Sequence, residues 1–484
     1  MSSTIQASLR PSLPDIKYCK DFREERDLYT EFDRIIDLLG LDLEFARMAG
    51  GKDCSAKKAT KLASGMRILL VKKLEGDLPV RKLSMLLSDR GLLRWFCQLD
   101  ELGASWAPSK SSISKLSNLL SQEELDRLCD KLLRALGDPL EAKRLGLEQE
   151  LEMNEIWFDA TCLKANIHYP TDWVLLRDAT RTLMKGLRLI RDNGILHRMT
   201  QTPESFLSEI NTKCMEMSQL RGKKNTQKAK KKVLREMVKK VKKAAAHAER
   251  HMAKLAETLE KTSFTPGRAE QVRRGMQGVI DQLPEAMRQA ESRLLHGKLV
   301  PSAEKILSFY EPDIQVIKRG KGNAQVEYGN VLLVVEQRDG LLIHTQLCKE
   351  NLPDVSLLSD AVEGAKRALG TLPKKACADR GFHSAANEEW LAEQGVESFI
   401  APRGVAAYTE RQGQDEFKAM QRRRAQTEAR IAIVNKVAFG GKLRSRGFER
   451  RQKAVAWARL AHNLWVAARL VIAQQKSAAE KIAA

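Results

Sequence analysis

Three short runs carry carboxylates in settings where they could hold metal ions. Ala378-Asp379-Arg380-Gly381-Phe382 places an aspartate at the end of an apolar stretch, just before a glycine-containing turn. Asp159 lies in Ile156-Trp157-Phe158-Asp159-Ala160-Thr161, and Glu428 in Gln426-Thr427-Glu428-Ala429-Arg430-Ile431. Oxygen donors of this kind suit Mg²⁺, which keeps several waters and needs only a few protein ligands. Two such ions, about 3.5–4 Å apart, align the nucleophile and the leaving oxygen of a phosphodiester and neutralise charge on both. Asp159 and Asp379 are expected at strand ends and Glu428 on a helix, a rigid way to bring three acids together. Asp172, Asp339, Asp354, Glu410 and Glu449 stand as rivals, since an aspartate in a turn is often a cap or turn former.

The substrate class follows from charge. Lysine and arginine number 83 against 62 acidic residues, for a net charge of +21 over 484 residues. Such an excess attracts polyanions, most simply nucleic acid. The lysines cluster between Arg221 and Lys261. Lys230, Lys231 and Lys232, then Lys239, Lys240, Lys242 and Lys243, flank a thin apolar stripe of Leu234, Met237, Val238 and Val241. This pattern reads as a helix with a phosphate-tracking face. Lys110 and Lys115, in the serine-rich run Pro108 to Leu116, could dock a second helix on DNA.

The elements that position these residues fall into three regions. Residues 1–150 read as a helical domain, the expected site of DNA-end binding. Asp33 to Arg47 shows a broad apolar face, Lys61 to Lys73 and Val80 to Leu87 have helical spacing, and Ser121-Gln122-Glu123-Glu124 forms a capping box. Residues 151–473 read as a mixed strand–helix domain interrupted by a helical insertion at about 173–300, with 474–484 as a tail. Within it, strands are expected at Ile156–Phe158, Cys162–Tyr169, Asp313–Lys318, Val331–Glu336, Leu341–Gln346, Lys374–Ala378 and Phe399–Ala401. Arg338-Asp339-Gly340 supplies a hairpin turn. Helices are expected at Ser356–Leu369, Ala386–Gln394, from about Glu416, and at Gln452–Ala473. His168 and His344, both in strand-like segments, are read as hydrogen-bonded structural residues.

Eight scattered cysteines form no Cys-x-x-Cys pair, so neither a zinc ribbon nor a redox motif is indicated. Met1 to Ile5 lacks the pattern of a signal peptide, and no apolar run approaches the ~20 residues of a membrane span. The expected compartment is a reducing cytoplasm, with no membrane partner.

Four stretches resemble bacterial insertion-sequence transposases of the DDE type. They are Phe158-Asp159-Ala160-Thr161 leading into Asn166 to Asp172, Val326 through Thr345 to Asp354, Ala378 to Phe382, and Arg424 to Ile431. The resemblance implies an α/β fold with an RNase H-like mixed-sheet catalytic core, Asp159, Asp379 and Glu428 as metal-binding catalytic acids, and two Mg²⁺ ions per site, with Mn²⁺ able to substitute. It further implies cleavage at terminal inverted repeats, joining of 3′-hydroxyl ends to target DNA, a homodimer or larger assembly on DNA, and a nucleoid location. Arg424 and Lys436 become DNA contacts by the same resemblance, although Gln421 stands where the related signature has tyrosine and Lys436 lies one position late. A catalytically inactive DNA-binding derivative and an RNase H-like nuclease are the alternative functions.

Overall fold

A computed structural model describes residues 13, 19–51, 54–101, 104–318 and 326–483. Met1 to Ile5, considered above for a leader, lies outside the described residues. The chain divides into two compact units, one formed by 1–166 and 329–484, the other by 167–328.

The first unit opens with helices α1 (Lys20–Leu39), α2 (Leu41–Gly50), α3 (Ala56–Leu74), α4 (Val80–Asp89), α5 (Gly91–Phe96), α6 (Lys110–Leu116), α7 (Gln122–Gly137) and α8 (Pro139–Arg144). The apolar face read over Asp33 to Arg47 is split. Gly40 has φ of 59° and ends α1, because a left-handed residue terminates a helix and glycine adopts it without strain. Ser121 caps α7 through the expected box: its hydroxyl accepts from Glu124 N–H, and the Glu124 carboxylate accepts from Ser121 N–H. At the centre of the bundle Arg67 is fully buried and reaches Asp33, Asp37 and Asp42 at 2.5, 2.6 and 2.8 Å.

The sheet is mixed, with six strands. They are β1 (Glu155–Lys164), β2 (Gln315–Lys318), β3 (Val326–Glu336), β4 (Leu342–Leu347), β5 (Lys375–Cys377) and β6 (Glu397–Ser398). Their order is β2-β3-β1-β5-β6, and β4 pairs with β3. β1 runs antiparallel to β3 and parallel to β5. The final strand lies at 397–398 rather than 399–401, although Phe399 N–H still bonds the Ala376 carbonyl at 2.8 Å. Helices α13 (Leu358–Leu369), α14 (Ala385–Glu393), α15 (Val405–Arg411), α16 (Asp415–Val437) and α17 (Phe448–Ala483) complete the first unit, whereas β2 and residues 326–328 of β3 fall in the second.

α17 ties the helical bundle to the sheet. Its buried Arg459 reaches Asp126 and Asp130 of α7 at 3.0 and 2.7 Å and donates to the Leu342 carbonyl at 3.1 Å. Trp457, Leu460, Ala461, Leu464, Ala468 and Val471 are buried, as their helical spacing predicts.

The second unit is built on four long helices, α9 (Asp172–Asp192), α10 (Pro203–Leu220), α11 (Gln227–Thr258) and α12 (Pro266–Leu294). Leu183, Leu187, Leu234, Met237, Val241 and Met276 belong to one continuous buried cluster. The stripe expected on the lysine-rich helix therefore faces that core.

Candidate active site

Asp159 does not end its strand. β1 continues five residues further, to Lys164, because the pairing of β1 with β3 persists in unbroken register from Trp157–Glu336 to Lys164–Gly329. The aspartates are nevertheless brought together. β1 and β5 pair in parallel with Trp157 opposite Cys377. Asp159 and Asp379 each lie two residues beyond that pair, so pleating directs both to the face that carries Trp157 and Cys377. Asp379 itself lies just past the end of β5, as its sequence context predicts.

The electrostatics agree with this closeness. Burial, then the neighbouring Asp379 carboxylate, push Asp159 up from 3.8 to about 6. Asp354 adds to the rise, while the Ala160 N–H, which donates to Asp159 Oδ1 at 2.7 Å, and the Arg424 guanidinium oppose it. Asp354, one of the rival acids, opens the short turn after β4. It meets Asp379 around Gly381: a Cβ built on that glycine would lie 2.8 Å from Asp354 Oδ2 and 2.9 Å from Asp379 Oδ1. Gly381 N–H also donates to Asp379 Oδ1 at 2.7 Å. The glycine thus leaves room for two carboxylates while holding one of them. Gly381→Ala is expected to displace both acids, lowering strand cleavage by about a hundredfold while changing stability little. Cleavage rates and thermal melts of the two proteins check this.

α16 packs on the same face. Phe417 and Met420 join Trp157, Cys377 and Phe399 in a small buried cluster, and Trp157 Nε1–H donates to the Met420 carbonyl at 3.0 Å. Gln421, in the position expected for tyrosine, donates its side-chain amide to the carbonyls of Ala378 at 3.0 Å and Phe399 at 2.6 Å. It anchors the helix directly beside Asp379. Arg424 follows one turn later and donates to Gln421 Oε1 and Glu428 Oε1, both at 3.3 Å. Gln421, Arg424 and Glu428 therefore share one helical stripe. Glu428 lies at its outer end, with its side chain 62% exposed and paired to Arg424. Among the described residues no three His, Cys, Asp or Glu side chains converge closely enough to hold one ion.

Other acids considered from the sequence have different surroundings. Asp172 is buried in the second unit, between Arg293 at 2.9 Å and Gln289 at 2.8 Å. Asp339 lies in the β3–β4 turn and accepts from Gln337 Nε2 at 2.9 Å. Glu410 and Glu449 are exposed. His168 is paired with Asp178 at 3.0 Å, and His344 is half-buried, its ring packed against α13 at Gly364. Burial holds His344 down at about 3.

The basic residues are spread over both units. Lys110 and Lys115 are exposed on α6, and Lys436 is exposed near the end of α16. On α11, Lys232, Lys239, Lys242 and Lys243 are exposed, and Lys230 and Lys231 are half-buried. Lys240 is paired with Glu209 of α10, which reduces its availability to a phosphate.

Residues 311–464 match the family model for a transposase DDE domain. This stretch contains Asp354, Asp379, Arg424 and Glu428, while Asp159 precedes it. Over this stretch the match supports a DDE-type insertion-sequence transposase. The family implies an RNase H-like core, generally uses divalent metal ions and acts on DNA. No curated protein and no solved structure gives a match. No helix among the described residues is long and apolar enough to cross a membrane.

The residues suit a divalent cation. Two carboxylates are held side by side at cost to one of them, and added positive charge relieves that repulsion. Their hard oxygen donors match Mg²⁺.

Proposed function

We propose that this protein is an active DNA transposase that cleaves phosphodiester bonds at transposon ends and joins the resulting 3′-hydroxyl ends to target DNA. The observation that carries the reading is the closeness of Asp159, on β1, to Asp379, just past the end of the adjacent parallel strand β5, beside the helix bearing Arg424 and Glu428. Asp159 and Asp379 would hold the metal ions, with Glu428 as the third acid. Two bound Mg²⁺ ions, with Mn²⁺ able to substitute, would supply alignment and charge neutralisation at the phosphodiester. Arg424 orients Glu428 and reduces repulsion around Asp159. Helices α1 to α8 and the lysine-bearing α11 would contact transposon-end or flanking DNA, with Arg424 and Lys436 adding contacts near the cut strand. Two ends must be brought together, so a dimer or larger assembly on DNA belongs to this reading, as do a cytoplasmic location and association with the nucleoid.

The third acid has a direct test. Glu428→Gln is expected to reduce metal-dependent cleavage of terminal-repeat DNA by at least about a hundredfold, as deletion of a charge-stabilising group does. Asp354→Asn should reduce it less. A larger loss for Asp354→Asn would transfer the role to that residue. Joining of cleaved ends to a target plasmid separates transposition from simple nuclease action, and binding without metal-dependent nicking would identify an inactive derivative.

A further inference from the structure

The sequence motifs leave one charged feature of the first unit unused. A cleft of about 330 Å³ opens where α3 and α4 meet the segment entering α17. Lys72, Lys73, Arg444, Arg446, Arg450 and Lys453 line it, and among the described residues no carboxylate does. Ser114, Ser117 and Asn118 add hydrogen-bonding groups along one side.

The fold brings these cations together from distant parts of the chain. The turn after α3 packs against the loop after α16, where a Cβ on Gly440 would lie 3.0 Å from the Gly76 carbonyl. Gly440 has φ of 58° and Gly441 of 84°, so glycine serves both the close approach and the left-handed turn. The consequence is that Arg444 and Arg446 reach the same cleft as Lys72 and Lys73.

The floor retains excess positive charge. Lys73 is 4% exposed, and its Nζ lies 2.9 Å from Asp77 Oδ1 and 5.3 Å from the Phe439 ring centroid. The distance to Asp77 is that of an ion pair, but the Lys73 ammonium makes no aligned hydrogen bond. Lys72 shares the same carboxylate, so two ammonium groups are served by one acid. Burial, and after it the neighbouring Lys72 ammonium, lower Lys73 to about 8 against the opposing pull of Asp77. Lys453 also feels Glu123, which leaves Arg444 and Arg450 as the stronger contributors to the cleft. Arginines with nearby hydroxyls are suited to phosphate oxygens, and a cleft of one charge sign focuses its field on an anion.

We infer that this cleft binds the phosphodiester backbone of DNA, as a contact surface separate from the paired aspartates. The choice of DNA as the phosphate source rests on the transposase reading, whereas the preference for phosphate rests on the cleft's own charges. Backbone contacts of this kind position a duplex without reading its sequence.

The test uses the full-length chain with two variants, Arg444→Gln/Arg450→Gln/Lys453→Gln and the single Arg450→Gln. Circular dichroism and thermal melts check folding, and fluorescence anisotropy measures binding to labelled duplex across a salt series. The triple variant is expected to bind roughly tenfold or more weakly near 0.1 M salt. Its log–log salt slope should be shallower by about 2 to 3, since each lost phosphate contact removes about 0.9. The single variant should lose about one unit of slope. A folded triple variant with unchanged affinity and slope overturns the inference, and an unchanged folded single variant does so if the triple fails to fold. Inorganic phosphate and pyrophosphate form the second arm. Competition with duplex only at bulk-salt concentrations supports DNA as the source, whereas saturable micromolar binding of either would overturn it in favour of a free phosphate ligand. Loss of DNA binding in the unmodified protein would instead remove the transposase reading.

Discussion

Asp159→Asn is expected to lower metal-dependent strand cleavage by at least about a thousandfold while DNA binding persists and the metal-free protein becomes more stable. The first part follows from removing one of two adjacent oxygen donors from a reaction that depends on charge neutralisation. The second follows from the apo electrostatics. Asp159 titrates near 6 in the fold, mainly because it is buried and secondarily because Asp379 is beside it. An acid whose folded value exceeds its unfolded value of 3.8 favours the folded state in its protonated form. The fold therefore loses stability as pH rises from about 4 to about 6, and the full penalty persists above that range. Asparagine cannot ionise, so its gain should be on the order of 2 kcal/mol at pH 7 and vanish near pH 4. Urea melts of both proteins at the two pH values, with chelator present, measure this directly. An unchanged cleavage rate would remove Asp159 from the site. Equal stabilities at both pH values would remove the proposed repulsion.

The proposed metal dependence has the same origin. A cation must displace the proton held by Asp159 below about 6, so its affinity should fall as pH drops through that value. The proposed need for metal and the apo protein's pH dependence thus share their causes, the burial of Asp159 first and the neighbouring Asp379 carboxylate second.

Local signals in the sequence revealed some elements better than others. The capping box at Ser121 was legible because both reciprocal bonds are made within four residues. The stripe on α17 was legible because one helix face meets one core. Asp159 was misplaced at a strand end because Ala160-Thr161 interrupts the apolar run, whereas strand length is set by the partner strand β3, about 170 residues away. Gly40 could be read as a helix terminator only by weighing one glycine against an apolar pattern that spans it. The parts of the site that local reading missed are tertiary. The role of Gln421 depends on two carbonyls from different segments, and Asp354 approaches Asp379 only because Gly381 lacks a side chain. The cluster of Arg444, Arg446 and Arg450 with Lys72 and Lys73 is likewise tertiary, since the fold alone places them on one cleft.

Glu336→Ala is expected to destabilise the first unit by about 3–5 kcal/mol and to abolish cleavage with it. Glu336 is fully buried at the end of β3, opposite Trp157. Its carboxylate accepts from Arg423 Nη1 at 2.7 Å, Thr427 Oγ1 at 2.8 Å and Arg430 Nε at 3.0 Å. These donors lie four and three residues apart, so one face of α16 is clamped to the sheet while the stripe of Gln421, Arg424 and Glu428 is presented beside the aspartates. Alanine would leave two guanidinium groups short of their shared anion and the Thr427 hydroxyl without its acceptor, the costly half-removal of a buried network. Arg423 would keep its bonds to the carbonyls of Gln337 and Arg338 and its place 4.7 Å over the Trp157 ring, so the helix should loosen rather than detach. Glu336→Gln retains an acceptor oxygen and should cost less, on the order of 1–3 kcal/mol. Urea denaturation of the three proteins gives the order of stability. The catalytic consequence is separable, because at low temperature, where Glu336→Gln remains folded, its cleavage rate should still fall if the clamp sets the position of Glu428. Wild-type cleavage by the folded glutamine variant would mean that α16 finds its place without this clamp.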